Sequence, residues 1–393
     1  MTTKQEIRFG SAAASMRQLP DDSVDLVLTS PPYPMIEMWD ESFAASAPEV
    51  AGALERGEGD TAFALMHEIL DDVWRECRRV LRPGGFLCVN IGDATRTLDG
   101  NFRLYSNQAR ISRFCESLGF QSLPPVIWRK QTNAPNKFMG SGMLPSGAYV
   151  TLEHEYILIL RRGAKRSFTA EEAARRRKSA FFWEERNAWF SDVWDFKGAR
   201  QVLPGNEERA RSGAFPLELA HRVVNMYSLQ GDLVLDPFLG TGTTAAACLL
   251  NARSSLGMER AGRLASVIEE TLVRAAETAN RLVAERIAAH RAFIRDYEER
   301  RGTLPAHTNE PHGFPVVTSQ ETRLVLPALE RLSRVDGRDR PETMVFEATH
   351  SPAPQDAASR SPEIHGVTTK ETEQLSLFLQ EERKTSKMKP DHP

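Results

Sequence analysis

The feature that most constrains the fold is a short apolar run followed directly by a turn rich in Gly and Thr. Leu233–Asp236 (LVLD) has the length of a buried strand, and residues 236–244 read DPFLGTGTT. Thr243–Leu250 is made of small and apolar residues, which predicts a closely packed helix. A strand, a glycine turn and a helix in this order form the βα unit of nucleotide-binding folds. We therefore predict an α/β domain.

Strand-like and helix-like patterns alternate along the first 300 residues. Further short apolar runs predict strands at 24–28, 86–91, 125–128, 156–160 and 255–259. Apolar residues at helical spacing predict helices at 63–81, 105–118, 216–229 and from 262 to about 300. The alternation favours a doubly wound, mostly parallel sheet. Beyond residue 302 the composition shifts towards Pro, Thr, Ser and charge, and we expect residues 338–393 to form a largely disordered tail.

The glycine turn suits a small polar ligand. Gly240 and Gly242 carry no Cβ and tolerate positive φ, so the backbone can approach a bound molecule. Asp236 can balance the cationic end of a methionine-like ligand, and Glu259, after the next strand, suits the two hydroxyls of a ribose. The competing interpretation is a tight turn with no ligand.

A second loop, TSPPY (residues 29–33), follows the predicted strand at 24–28. The rings of Pro31 and Pro32 make the loop rigid and remove two N–H donors, which leaves carbonyls and the Ser30 hydroxyl to face a bound amino group. Hydrogen bonds from an exocyclic base amine to Ser30 Oγ and to the Pro31 carbonyl would localise the nitrogen lone pair for methyl transfer. Tyr33 would offer a stacking face to a base flipped out of the duplex. If it stood alone, the loop would more often be a proline turn with a packed tyrosine.

Taken together, the motifs resemble those of the DNA amino-methyltransferases of the β class, in which the catalytic motif precedes the cofactor motif. The resemblance runs from about Gly10 to Arg274 and includes RVLRPGG (residues 79–85), VIWRK (126–130), HEYILIL (154–160) and AFPLELAHR (214–222). It implies a circularly permuted, seven-stranded methyltransferase sheet and S-adenosyl-L-methionine as cofactor. The cofactor-binding residues that it implies are Asp236, Pro237, Phe238, Gly240, Thr241, Gly242, Thr243 and Glu259, with Phe215 and Pro216 at the methionine end; the catalytic residues are Ser30, Pro31, Pro32 and Tyr33.

Within that family, SPPY usually accompanies methylation of cytosine at N4, and DPPY that of adenine at N6. The serine favours a DNA (cytosine-N4-specific) methyltransferase of restriction-modification type, and an N6-adenine enzyme remains the alternative. A protein or RNA amine methyltransferase and an inactive DNA-binding module are more distant possibilities. Gly10-Ser11 departs from the Gly-Asp common in relatives, which leaves one adenine-side cofactor contact in doubt. Methylation at C5 of cytosine is disfavoured, because no cysteine follows a proline.

The DNA partner has to be sought in a local patch, because the formal net charge of the 393-residue chain is only −3. Residues 129–186 hold twelve Lys or Arg against six Glu, with aromatic residues interleaved. We expect this region to neutralise phosphates and to read bases, the alternative being a solvated helix. The DNA-binding candidates are Arg129, Lys130, Lys137, Arg175, Arg176, Arg177 and Lys178.

The predicted organisation is a catalytic half (1–128), a target-recognition region with the last core strands (129–205), a cofactor half (206–302), an extension (303–337) and the tail. QLSLF (374–378) in the tail resembles the peptide that docks bacterial proteins on the replication sliding clamp, through Gln374, Leu375, Leu377 and Phe378. A C-terminal helix packed on the core is the alternative. Four scattered cysteines predict neither a metal site nor disulfides, and with no membrane span or signal peptide we expect a cytoplasmic protein.

Overall fold

The computed structural model describes residues 1–130, 139–198, 215–335, 342–354 and 360–367. Within these ranges the α-helices are α1 (Ala12–Met16), α2 (Asp40–Ala44), α3 (Glu49–Glu55), α4 (Gly59–Val80), α5 (Asn107–Ser117), α6 (Ala170–Lys178), α7 (Trp183–Trp189), α8 (Leu217–Tyr227), α9 (Thr243–Leu250) and α10 (Ala265–Arg301). The predicted helices are therefore present, with ends that differ by a few residues. No helix in the described ranges is long and apolar enough to cross a membrane.

A single large sheet organises the domain. Its strands are β1 (Thr2–Phe9), β2 (Val24–Thr29), β3 (Leu81–Ile91), β6 (Phe120–Lys130), β9 (His154–Arg162), β10 (Val193–Phe196), β11 (Leu233–Asp236), β12 (Ser254–Glu259), β15 (Pro327–Arg334), β16 (Thr343–Pro352) and β17 (Glu363–His365). Small two-stranded sheets are formed by β4 (Ala94–Leu98) with β5 (Asn101–Tyr105), β7 (Met139–Gly140) with β8 (Ala148–Tyr149), and β13 (His307–Thr308) with β14 (Pro315–Val316).

The strand order in the large sheet is β10-β6-β9-β3-β2-β11-β12-β1-β16-β15-β17. The five central strands β3, β2, β11, β12 and β1 are parallel. By contrast, β9 lies antiparallel to both of its neighbours, β3 and β6. This sheet agrees with the predicted doubly wound, mostly parallel α/β fold. Strand β2, which leads into the TSPPY loop, lies directly beside β11, which leads into the glycine turn.

Helices cover both faces of the central sheet. Every residue of β2 is buried, as is typical of a parallel strand in the middle of a sheet. Because side chains alternate along a strand, Val27 packs with Trp74 of α4 on one face, and Leu26 and Leu28 pack with Leu219 of α8 on the other. The fold is therefore doubly wound, as the alternation of patterns predicted.

The sheet is wider than the expected seven strands, because the described ranges contribute eleven. Part of the difference comes from the predicted tail, where β16 lies antiparallel to β1, and from the extension, where β15 lies antiparallel to β16. Met344, Phe346 and Ala348 of β16 alternate inwards and are buried in one cluster with α9 and α10. The expectation of disorder from residue 338 was therefore wrong for residues 343–352 and 363–365. A period-two apolar pattern was present there, but it lies within a segment of polar composition.

Candidate active site

The TSPPY and DPFLGTGTT loops meet at one edge of the sheet. Strands β2 and β11 are parallel neighbours, with Leu26 opposite Val234 and Val27 opposite Leu235, so both loops leave the carboxyl edge side by side. The Thr29 hydroxyl donates to Asp236 Oδ1 at 2.6 Å and thereby ties the catalytic strand to the cofactor loop. This edge is where ligands bind in open α/β sheets.

Asp236 is the buried anchor of the cofactor loop. Besides Thr29, its carboxylate accepts from the Thr244 hydroxyl at 2.5 Å and from the Phe238 N–H at 3.0 Å. Burial raises the pKa of Asp236 to about 6, although the hydrogen bonds from Thr244, Thr29 and Phe238 act in the opposite direction. The carboxylate therefore joins the end of β2, the turn and the first residues of α9.

The glycine turn has the backbone conformation that its sequence predicts. Gly240 and Gly242 have φ of +56° and +93°, values that side-chain-bearing residues rarely adopt. Behind the turn, a Cβ on Gly257 of β12 would lie 2.5 Å from Leu239 Cδ2, so the absence of a side chain there lets the loop pack down on the sheet. The loop is thus held close to the strand ends.

Glu259 ends β12, the next strand along the sheet. Its carboxylate accepts from the Gly240 N–H at 2.9 Å and from the Ala261 N–H at 2.7 Å. Burial raises the pKa of Glu259 above its ordinary value and outweighs these backbone hydrogen bonds, which act in the opposite direction. Gly10 lies beside it, since the Gly10 N–H donates to the Glu259 carbonyl at 2.9 Å.

These residues fit S-adenosylmethionine. Two acidic side chains end adjacent strands, and between them runs a turn whose glycines leave the backbone open to a ligand. Phe215 and Pro216 precede α8, which is followed by the parallel strand β11, so the start of this helix lies at the same edge. Phe238 packs edge-on to the buried ring of Trp74, at 6.3 Å between ring centroids. The cofactor residues expected from the sequence are therefore at one place in the fold, and their individual roles stay predictions.

The catalytic loop is part of a compact polar network. Ser30 Oγ lies 3.0 Å from the Tyr33 hydroxyl, and that hydroxyl donates to Glu155 Oε2 at 3.0 Å. Asn90 Nδ2 donates to the Tyr33 hydroxyl at 2.8 Å and to Glu155 Oε2 at 2.7 Å. Lys130 Nζ donates to the other carboxylate oxygen, Glu155 Oε1. Five side chains from β3, β6, β9 and the loop are thus linked together.

Local packing holds this network in place. Gly92, just after β3, leaves room for its neighbours, because a Cβ there would lie 3.1 Å from Tyr33 Cε2 and 3.2 Å from Glu155 Cγ. Burial, together with the charge of Glu155, raises the pKa of the Tyr33 hydroxyl well above its usual range. Tyr33 therefore stays protonated and can donate a hydrogen bond.

The basic residues predicted to bind DNA lie in two different places. Arg129 and Lys130 end β6 at the carboxyl edge, near Tyr33, although Lys130 is engaged by Glu155. Arg175 of α6 instead pairs at 3.0 Å with Asp232, the residue before β11, at the opposite edge of the sheet. Arg176, Arg177 and Lys178 lie on the same helix. The structure does not bring this helix to the catalytic loop, and Lys137 lies outside the described residues.

Sequence reasoning missed Asn90, Gly92 and Glu155. The signal for Asn90 was a polar residue near the end of an otherwise apolar strand. Glu155 is the second residue of β9, and it reaches the carboxyl edge only because β9 runs antiparallel to β3. The clamp-binding candidates Gln374, Leu375, Leu377 and Phe378 lie outside the described residues, so that interaction stays a prediction.

Comparisons with known proteins agree with this site. A family model described as DNA methylase, for N6 and N4 methyltransferases, matches residues 24–270. The chain is 48% identical over 324 residues to the type II methyltransferase M.MthZI of Methanothermobacter thermautotrophicus, which covers 82% of this chain and 89% of the relative. It is 46% identical over 283 residues to M.MjaI of Methanocaldococcus jannaschii, covering 69% and 92%.

A solved structure supports the same conclusion. A Thermus thermophilus protein, provisionally assigned as a DNA modification methylase and solved in complex with S-adenosyl-L-methionine, is 34% identical, with a TM-score of 0.53 over 68% of this chain and 95% of that one. The family match spans both loops and the strands that carry them. This chain therefore belongs to the DNA methylase family of N6 and N4 methyltransferases, and it is a DNA methyltransferase that uses S-adenosylmethionine.

Proposed function

We propose that the protein methylates the exocyclic N4 amine of cytosine in duplex DNA. The observation that carries the proposal is Ser30, a neutral hydroxyl at the position where an aspartate accompanies adenine methylation in this family. In the structure this hydroxyl lies at the carboxyl edge, beside the loop that is suited to the cofactor. The type II methyltransferase relatives are consistent with a site-specific modification enzyme.

The exocyclic amine of the base is a weak nucleophile, and the protein has to make it reactive. The lone pair of an exocyclic amine is delocalised into the ring, so acceptors for the amine protons draw that lone pair back onto nitrogen. Ser30 Oγ and the Pro31 carbonyl supply such acceptors, and the two prolines hold them in place. When bound, S-adenosylmethionine supplies an electrophilic methyl group on a sulfonium. Asp236 would hold its methionine end and Glu259 its ribose.

The target base has to leave the duplex to reach this edge. Flipping costs a few kcal/mol, which stacking on Tyr33 and hydrogen bonds to Ser30 and Pro31 would offset. Arg129, the penultimate residue of β6, lies at this edge with a side chain 60% exposed and is placed to neutralise a phosphate beside the site. The recognition segment would then lie on the side of the sheet that carries β6 and β10.

Methylation of a mixed-sequence plasmid with labelled cofactor, followed by mass spectrometry of the nucleosides, tests the proposal directly. We expect N4-methylcytosine, and mapping of the modified positions gives the recognition sequence. Detection of N6-methyladenine without N4-methylcytosine would show that the enzyme modifies adenine. Transfer to protein or RNA with none to DNA would reject the proposed substrate altogether.

Ser30→Ala tests the role of the hydroxyl. Loss of one acceptor on the reacting amine should lower kcat by about 10- to 100-fold. The dissociation constant for S-adenosylmethionine, measured by calorimetry, should stay within twofold. Ser117→Ala is the matched control, because this hydroxyl caps the far end of α5 by donating to the Phe114 carbonyl. Equal loss of cofactor binding in Ser30→Ala would contradict the assigned role.

A further inference from the structure

Glu155 is a nearly buried acid beside the TSPPY loop. It is the second residue of β9, and its side chain is 11% exposed. One carboxylate oxygen accepts from the Tyr33 hydroxyl and from Asn90 Nδ2, and the other accepts from Lys130. A buried charge with three donors is an arrangement that demands an explanation, because desolvating a carboxylate is unfavourable.

The hydrogen bonds among Ser30, Tyr33, Asn90 and Glu155 have directions that follow from which groups can donate a proton. Asn90 Nδ2 donates to Tyr33 at 2.8 Å and to Glu155 at 2.7 Å, and Ser30 Oγ lies farther from it, at 3.5 Å. Asn90 is a donor in each of these contacts, so it takes up no proton from Ser30 or Tyr33.

A carboxylate can only accept, so Tyr33 has to donate its single proton to Glu155. Between Ser30 Oγ and the Tyr33 oxygen, 3.0 Å apart, the proton must then come from Ser30. The chain of donors runs from Ser30 to Tyr33 and on to Glu155.

We propose that Glu155 is a positioning residue that makes Ser30 an obligate hydrogen-bond acceptor towards the target amine, acting through the Tyr33 hydroxyl. A serine hydroxyl can donate or accept, whereas an amine whose lone pair is delocalised offers protons. With its own proton held by Tyr33, Ser30 presents lone pairs to the amine. The negative charge that an aspartate would carry at position 30 is then supplied from a different strand. This inference rests on the proposed amine methylation.

Lys130 determines what a neutral substitution at Glu155 would do. In Glu155→Gln the amide oxygen faces the Lys130 ammonium, which can only donate. The NH₂ group then faces Tyr33 and also Asn90 Nδ2, which loses the acceptor it had at 2.7 Å. Tyr33 then accepts from Gln and donates to Ser30, and Ser30 turns its proton towards the substrate amine. The substitution therefore reverses the chain rather than merely weakening it.

The test is a double-mutant cycle with the full chain. Wild type, Glu155→Gln, Tyr33→Phe and the double variant are compared for kcat and KM on plasmid DNA and for calorimetric binding of S-adenosylmethionine. Glu155→Gln should lower kcat by about 100-fold and Tyr33→Phe, which keeps the ring, by about tenfold. The double variant should match Tyr33→Phe, so that removing the Tyr33 hydroxyl partly rescues the glutamine variant. Tyr227→Phe, whose ring packs on Phe86 away from the site, is the hydroxyl control and should change kcat less than twofold.

A structural role for Glu155 predicts a different result, namely additive losses in kcat and weaker cofactor binding in every Glu155 variant. Additive losses in kcat would overturn the proposal, and so would weaker cofactor binding. A Glu155→Gln enzyme with wild-type kcat would overturn it as well. The identity of the methylated base is read from the same reactions. N6-methyladenine as product would refute the cytosine assignment while leaving the cycle interpretable, whereas N4-methylcytosine without rescue would refute the positioning role alone.

Discussion

The burial of Asp236 makes a quantitative prediction about stability. Asp236→Asn keeps the shape of the side chain and removes the titration. Wild-type Asp236 has a pKa of about 6 in the folded protein, against 3.8 as its ordinary value. Between these two values the folded state binds more protons than the unfolded state, so the contribution of Asp236 to stability falls as the pH rises.

The size of the effect follows from the two pKa values. A difference of about two units corresponds to about 3 kcal/mol of lost stability at pH 8, of which roughly half, about 1.4 kcal/mol, develops above pH 5. All other groups titrate alike in both proteins. The free energy of unfolding of Asp236→Asn minus that of wild type should therefore increase by about 1.4 kcal/mol from pH 5 to pH 8.

Urea unfolding followed by tryptophan fluorescence at pH 5, 6, 7 and 8 measures this difference, without cofactor in every case. Any constant cost of the asparagine cancels, because only the change with pH is compared. A difference that stays constant, or that decreases as the pH rises, would refute the conclusion that burial outweighs the three hydrogen bonds to Asp236.

Further predictions concern positions at and away from the site. Gly257→Ala should weaken S-adenosylmethionine binding measured by calorimetry, because the new Cβ would displace Leu239 beneath the glycine turn. Gly92→Ala should lower kcat with cofactor affinity unchanged, because the new Cβ would press on Tyr33 and Glu155. Weaker cofactor binding would contradict the assignment of Gly92 to the Tyr33–Glu155 network. Arg175→Ala should lower stability by about 1 kcal/mol and leave duplex affinity unchanged, because Arg175 serves Asp232 at the opposite edge. Arg129→Ala should weaken duplex binding and leave stability unchanged. The salt dependence of duplex affinity should fall by about one ion, as fluorescence anisotropy would show.

Local patterns were sufficient for much of the fold. The predicted strand at 233–236 and the predicted helix at 243–250 coincide with β11 and α9. The reason is that a buried strand and a glycine turn can each be recognised from a few consecutive residues. Prediction failed where composition and periodicity disagreed. Strand β16 alternates apolar and polar residues in a stretch rich in Thr, Ser and charge, and its partner β1 lies more than 300 residues away.

The sequence alone was sufficient to propose the chemistry of the two loops, since the roles proposed for Ser30 and for the glycine turn after Asp236 depend on their own residue types and backbone. Only the tertiary structure decided that Thr29 binds Asp236 and that Glu155 joins Tyr33. The physical reason is strand direction. Glu155 is the second residue of β9. The beginning of a strand lies at the carboxyl edge of the sheet only when that strand runs antiparallel to its neighbours, a property of long-range pairing that no local pattern carries.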